Sequence, residues 1–459
     1  MNKNEIQEIL NQSLTTGADF CELFFEKSLT KNINVMNGEV ININTSELHG
    51  VGIRLLKNSD EVYAYTNNIN KENILTLLEQ LKTSFNDEPK PVIKLGERKP
   101  FNNNIKKPFD KVDTKTKTNK LLNLNKIIKQ TSNSIVQSIT NLVEKRQEVL
   151  ICNTDGTYQD DERIYSRVVL AAVSKDGDKM EQTYEGPGRF MGFEIFDEID
   201  LERLAKEVAE ASIKQLNARE VKAGTMPVVI HNGFGGVIFH EACGHPLEAS
   251  SIAKGLSPFT NKIGKKVASD VVTAYDNGNV EGAWGRLNFD DEGNETQNNL
   301  LIENGILKGY LVDKRNGRTM NTKSTGSSRR QNYKYAPTSR MNSTFIANGK
   351  EDYLDIIKDT KHGMFAKKLG GGTVNPATGE FNFQVLEAYM IEDGKLTDAV
   401  KGAMLIGNGK DILFEIDRVA NNLEFGQGMC GASSGSIPVD VGQPTIRVKK
   451  ITVGGRSNE

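Results

Sequence analysis

Phe239-His240-Glu241-Ala242-Cys243-Gly244-His245-Pro246 carries two of the five histidines of a 459-residue chain, with a glutamate and a cysteine between them. Imidazole is a preferred zinc ligand, and a glutamate beside the first histidine can act as general base toward a metal-activated water. The familiar metallopeptidase pattern sets its histidines at i and i+4, on one helical face. Here the separation is i, i+5, which on a regular α-helix leaves the side chains about 140° apart. They converge only where the helix widens into a π-bulge or ends between them. Gly244 weakens the helix, and Pro246 biases His245 away from the α region. Two histidines on a buried helix can also be ordinary core residues, but clustering in a histidine-poor chain favours a metal.

A catalytic zinc needs a third protein ligand. Cys243, Cys430, His231 and many carboxylates are available. Cys243 lies between the histidines and should face elsewhere on the helix. Cys430 sits in Gly426-Gln-Gly-Met-Cys430-Gly431-Ala-Ser-Ser-Gly435, which reads as a glycine-rich loop of little packing value. A thiol there is the preferred third ligand.

Outward from this segment, Met226–Ile230 reads as a short strand, and 234–249 is the one clear helix early in the second half. The rest of that half reads as antiparallel sheet, with Asn304-Gly305, Asn348-Gly349 and Asp393-Gly394 as turn dipeptides. Upstream, Ile6, Ile9, Leu10 and Leu14 have helical spacing with Gly17 as stop, and Asn37-Gly38 joins two strands. Val51–Leu55 and Val62–Tyr65 read as further strands, and Ile74, Leu75, Leu78 and Leu81 as a helix. Residues 84–118 read as a linker, and Leu121 to Leu142 as one long helix. A hairpin over 164–185 turns at Asp176-Gly177, and Leu201, Leu204, Val208 and Leu216 mark another helix. The class is α+β in two domains. Residues 1–221 form a mixed α/β N-terminal domain. Residues 222–459 form a β-rich, largely antiparallel C-terminal domain carrying the metal-site helix.

Composition narrows the function. Fifty-eight Lys and Arg against sixty Asp and Glu leave a net charge of −2, a poor basis for nucleic-acid or membrane-surface binding. No run approaches a membrane span, and the N-terminal residues show no signal-peptide pattern. Four scattered cysteines suggest no disulfide framework, so a cytoplasmic protein is expected. Gly370-Gly371-Gly372 reads as a turn, Gly233-Phe-Gly235-Gly236 as close helix packing, Asp290-Asp291-Glu292-Gly293 as a turn, and 322–330 as a solvated basic loop.

The set of motifs resembles the TldD/TldE (PmbA) metallopeptidase family. The resemblance rests on His240-Glu-Ala-Cys-Gly-His245, Asp290-Asp-Glu-Gly293, Tyr333-Lys-Tyr-Ala-Pro-Thr-Ser-Arg340-Met-Asn342, Glu387–Gly394, Val400–Gly407, Cys430-Gly, Ile437–Pro444 and Val453-Gly-Gly455. It is dense in the second half and looser in the first. Because the metal ligands are kept, the chain resembles the TldD type. The resemblance implies Zn2+ held by His240, His245 and Cys430, with Glu241 as catalytic base. It implies cleavage of unfolded or extended peptides, in peptide-precursor processing and degradation of small unfolded proteins. It further implies a dimer with a TldE/PmbA-like subunit or a second copy. Arg340 or Tyr335 is a candidate oxyanion donor. Two other readings stand beside this one: a non-catalytic binding or scaffold subunit with a structural metal, and a thiol hydrolase using Cys430 or Cys243.

Overall fold

The computed structural model describes residues 1–81, 94–375 and 378–455. The chain is an α+β protein, 24% helix and 44% strand. Helix α1 (Lys3–Ser13) begins at Asn2, whose side chain accepts from Glu5 N in a capping box. A short 3-10 turn follows and ends at Gly17, where φ is 86°. The chain then enters an antiparallel sheet of β1 (Phe20–Met36), β2 (Glu39–Lys57), β3 (Asp60–Thr66), β4 (Ile135–Asn153), β5 (Tyr158–Asp176) and β6 (Lys179–Glu185), in the order β3-β2-β1-β4-β5-β6. The two-residue strand β7 (Gly188–Arg189) pairs with β5. The β1–β2 hairpin turns at Asn37-Gly38, both at positive φ, as the sequence suggested.

Helices cover this sheet in two patches. Apolar residues of α1 and of α2 (Lys71–Leu81) pack with Leu23, Ile53 and Cys152. Those of α3 (Thr114–Gln130) and α5 (Leu201–Asn217) pack with Val35, Leu142 and Leu170, with the one-turn α4 (Ile195–Glu198) beside them. The helix expected to run on to Leu142 stops at Gln130. Ile135, Ile139 and Leu142 belong to β4, which is paired on both sides by β1 and β5. Thr131-Ser132-Asn133-Ser134 offer the backbone competing side-chain hydrogen bonds and break the helix. Of the expected linker, residues 84–93 lie outside the described residues. Residues 94–113 run along the sheet with one 3-10 turn, and α3 begins at Thr114.

The second half holds an eight-stranded and a six-stranded sheet, antiparallel except for three pairings among the described residues. In the larger sheet, the strand Gly224–Ile230 lies between His362–Val374 and Ile446–Gly454. In the smaller, Glu424–Ala432 forms the edge beside Gly435–Gln443. Gly370-Gly371-Gly372 is not a turn: it lies within the strand His362–Val374, where the ladder is bulged.

The turn expected at residues 290–293 is present but buried, and so are the two arginines that end the loop expected to be solvated. Asp290, Asp291 and Glu292 are at most 1% exposed, and Arg329 and Arg330 at most 3%. The reason is pairing with the N-terminal sheet. Arg163 Nη1 lies 2.7 Å from Asp291, Arg54 donates to Glu292, and Arg330 donates to Glu22. Each of these buried charges has an opposite charge beside it, so removing one partner would leave the other uncompensated. No helix among the described residues is long and apolar enough to cross a membrane.

Candidate metal centre

The helical run through the two histidines changes pitch three times. A 3-10 turn (Phe234–Gly236) leads into one α turn (Val237–Phe239), a π segment (His240–Gly244) and a second 3-10 turn (His245–Leu247). The amide of His245 donates to the carbonyl of His240, the i+5 to i bond of a π-helix. That bond brings residues five apart onto one face. The helix expected here is thus broken by the π segment that the i, i+5 spacing called for, and that segment is what joins the histidines. Glycines hold the run against its neighbours. A Cβ on Gly236 would sit 2.6 Å from the Gly442 backbone, and one on Gly244 would sit 2.1 Å from Met341 Sδ.

Cys430 reaches the same place from the edge strand. It is not in a loop: it pairs with Ile437 in the ladder between Glu424–Ala432 and Gly435–Gln443. The glycines around it admit a neighbour, since a Cβ on Gly426 would lie 2.7 Å from Phe234 Cα. The strand thus packs directly on the start of the histidine run.

Cys430 Sγ lies 3.4 Å from His240 Nε2 and 3.2 Å from His245 Nε2. Donor atoms of the three residues all fall within 4.8 Å of one another, and no other such cluster of three occurs among the described residues. His240 and Cys430 are buried at 2% and 4% exposure. Burial opposes ionisation of the Cys430 thiol, but the two imidazoles outweigh it and bring its pKa down to about 3. Burial likewise opposes a charge on His245, but Glu248 and Cys430 outweigh it and hold its pKa well above the usual value. The site thus keeps a thiolate against an imidazolium. Two imidazole nitrogens and a thiolate converging on one point are the donor set a borderline-soft divalent cation takes, with the cation replacing the proton. The residues present fit a zinc ion.

Glu241 Oε2 is 3.8 Å from His245 Nε2, and its half-buried side chain borders a cavity of about 510 Å³. His245, Glu248, Pro246, Val374 and Lys410 also line that cavity. Cys243 faces away, buried, with Sγ toward the carbonyl of Gly409, and burial pushes its thiol up. His231 is elsewhere: its Nδ1 is 3.0 Å from Thr445 Oγ1, and its ring packs on Tyr353 and Phe365. Arg340 is fully buried and donates to the carbonyls of Cys430 and Gly435 and to Ser434 Oγ, so it does not present itself to the cavity. Tyr335 does not line the cavity either. One residue not singled out in the sequence stands beside the site. Glu248 Oε1 is 3.2 Å from His245 Nδ1. Its signal was an acid three residues after the second histidine, a spacing that helices also use on solvated faces.

Family models for the PmbA/TldA metallopeptidase match along the chain: domain 1 at residues 21–84, the central domain at 107–216 and the C-terminal domain at 223–455. A Buchnera aphidicola (subsp. Schizaphis graminum) protein named metalloprotease TldD homolog is 34% identical, over 99% of this chain and 96% of its own. A Haemophilus influenzae protein of the same name is 35% identical, over 95% of this chain and 93% of its own. The crystal structure of TldE from Thermococcus kodakarensis superposes with a TM-score of 0.77 at 20% identity, covering 98% of this chain and all of that one.

Proposed function

The chain belongs to the PmbA/TldD metallopeptidase family as a TldD-type member, and on that premise we propose that it is a zinc-dependent peptidase acting on extended or unfolded peptides. His240, His245 and Cys430 hold the metal, and Glu241 is the general base. The observation that carries this reading is the convergence of three donor groups beside a carboxylate that borders a cavity. When bound, zinc supplies a Lewis acid for the scissile carbonyl and lowers the pKa of the attacking water. Glu241 takes the proton of that water on a carboxylate oxygen and returns it to the leaving amine. Its place at the cavity wall lets it reach substrate without leaving the helix.

The strand His362–Val374 suits an extended substrate. It pairs with Gly224–Ile230 only through residues 364–366, so beyond that point one edge has no ladder partner among the described residues. Val374 and Asn375 at its end line the cavity. A peptide adding there would be bound through its main chain, with weak sequence preference. The proposed role is peptide-precursor processing and removal of small unfolded proteins in the cytoplasm. The working form is a dimer with a TldE/PmbA-like subunit or a second copy. Residues 1–221 and 222–459 serve as the two domains.

Metal analysis by mass spectrometry on tag-free protein tests the site. We expect near-stoichiometric zinc in wild type and a large loss in Cys430→Ala. Glu241→Gln should keep its zinc and lose peptide cleavage by about 10²- to 10⁴-fold, the usual contribution of general-base catalysis. Zinc-free protein that cleaves peptides at the full rate would sink the proposal. Retained zinc with no turnover under any partner condition would instead favour a scaffold subunit with a structural metal.

A further inference from the structure

Behind the donor cluster lies a second layer that joins two of its members. Glu248 is 5% exposed and directs Oε1 at the Nδ1 edge of His245, the edge opposite the Nε2 that faces Cys430. Arg340, with no exposed surface, sets Nε 4.0 Å from the same Oε1. Its other nitrogens donate to the carbonyl of Cys430, to Ser434 Oγ at 2.9 Å and to the carbonyl of Gly435 at 2.9 Å. Glu248 Oε1 and Arg340 Nε are both buried without an in-line hydrogen-bond partner among the described residues. A buried carboxylate oxygen and a buried guanidinium nitrogen are costly to leave unmatched, and here they face each other.

We propose that Glu248 and Arg340 act as one positioning unit for the metal centre. Glu248 Oε1, 3.2 Å from His245 Nδ1, takes up the Nδ1 proton in a full hydrogen bond once the ring is held as a ligand, which fixes the tautomer that presents Nε2. Arg340 ties that carboxylate to the backbone of Cys430, so one guanidinium sets the separation between two of the three ligands. The charges of Glu248 and Arg340 cancel, and the unit adds orientation without adding net charge to the site. A carboxylate behind a metal-bound imidazole is a recurrent device for raising ligand basicity. Added to it here is the shared arginine, which also grips the backbone of Cys430. The inference rests on the reading of His240, His245 and Cys430 as metal ligands.

Zinc affinity by competition with a chromophoric chelator and the absorption spectrum of the cobalt(II)-loaded protein test it without recourse to activity. Glu248→Ala should weaken zinc binding about 10- to 100-fold. Glu248→Gln, isosteric and so the safer variant for folding, should weaken it less and shift the cobalt bands. Arg340→Lys keeps the charge but loses the fork, and should move the thiolate-to-cobalt band. The double variant Glu248→Gln/Arg340→Lys should lose less than the product of the two single losses, because the residues work as a unit. Folded Glu248 variants with wild-type affinity and spectrum would overturn the inference while leaving the metal site standing. Losses that simply multiply would overturn the single unit. Wild-type protein that takes up neither zinc nor cobalt would overturn the metal site, and the inference with it.

Discussion

His231 shows how one imidazole away from the metal centre links stability to pH. Its burial, with Lys367 nearby, lowers its pKa to about 4, and Glu387 opposes that only in part. An unfolded histidine titrates near ~6.5. The unfolded chain therefore binds this proton more readily than the folded one. The stability His231 confers is complete above about pH 6.5 and is lost as pH falls toward about 4. Urea midpoints at pH 7.5 and 4.5 should differ less in His231→Gln than in wild type; equal differences would contradict this. His231 was available in the sequence as a third ligand, and nothing local argued against it. Its removal from the site depends on Thr445, Tyr353 and Phe365, which come from the link before the last strand, a helix and another strand, each more than a hundred residues away in sequence. His240, His245 and Cys430 were legible because residue type alone singles them out. Glu248 and the true contacts of Arg340 were not, since acids and bases at such spacings are usually solvated.

The element that matters most is the π segment His240–Gly244. Its i, i+5 spacing of histidines was a legible anomaly: a regular helix would separate the two rings. Gly244 sustains the segment by admitting Met341 Sδ where a Cβ would stand. Gly244→Ala should therefore displace Met341 or His245, lower stability by about 1–3 kcal/mol as overpacking does, and reduce zinc content. Thermal unfolding and metal analysis would show it, and an unchanged zinc content would contradict it. Elsewhere periodicity misled. Ile135, Ile139 and Leu142 have helical spacing, yet β1 and β5 claim their backbone. The strand around Cys430 was hidden by its glycines, of which Gly426 admits the close approach of Phe234.

At the scale of the molecule, buried ion pairs bind the first half to the second. Glu22, Arg54 and Arg163 come from the N-terminal sheet, and Asp291, Glu292 and Arg330 from beyond it. Arg330→Met would leave Glu22 with Arg54 alone, whose Nη1 is 3.9 Å away. A loss of roughly 3 kcal/mol is expected, the lower end for breaking a buried pair. Because the pairs cross between the halves, both should unfold in one transition in wild type and separate into two in Arg330→Met. Calorimetry distinguishes these, and two transitions in wild type would argue against the coupling. These charges could not be recognised from sequence. An Asp-Asp-Glu-Gly turn and an Arg-Arg pair look solvated until partners more than a hundred residues away are known.

The sulfur that completes the donor cluster lies 190 residues after His240. At ordinary rates of translation, about 5–20 residues per second, it is made roughly 10–40 seconds later. Throughout that interval the growing chain has its glutamate and both histidines but not the thiol of the donor cluster, which arrives only as the edge strand forms. A chain truncated before that strand carries an incomplete centre. On the proposed assignment of the site, the order of synthesis withholds hydrolytic competence from fragments until the strand carrying Cys430 has paired.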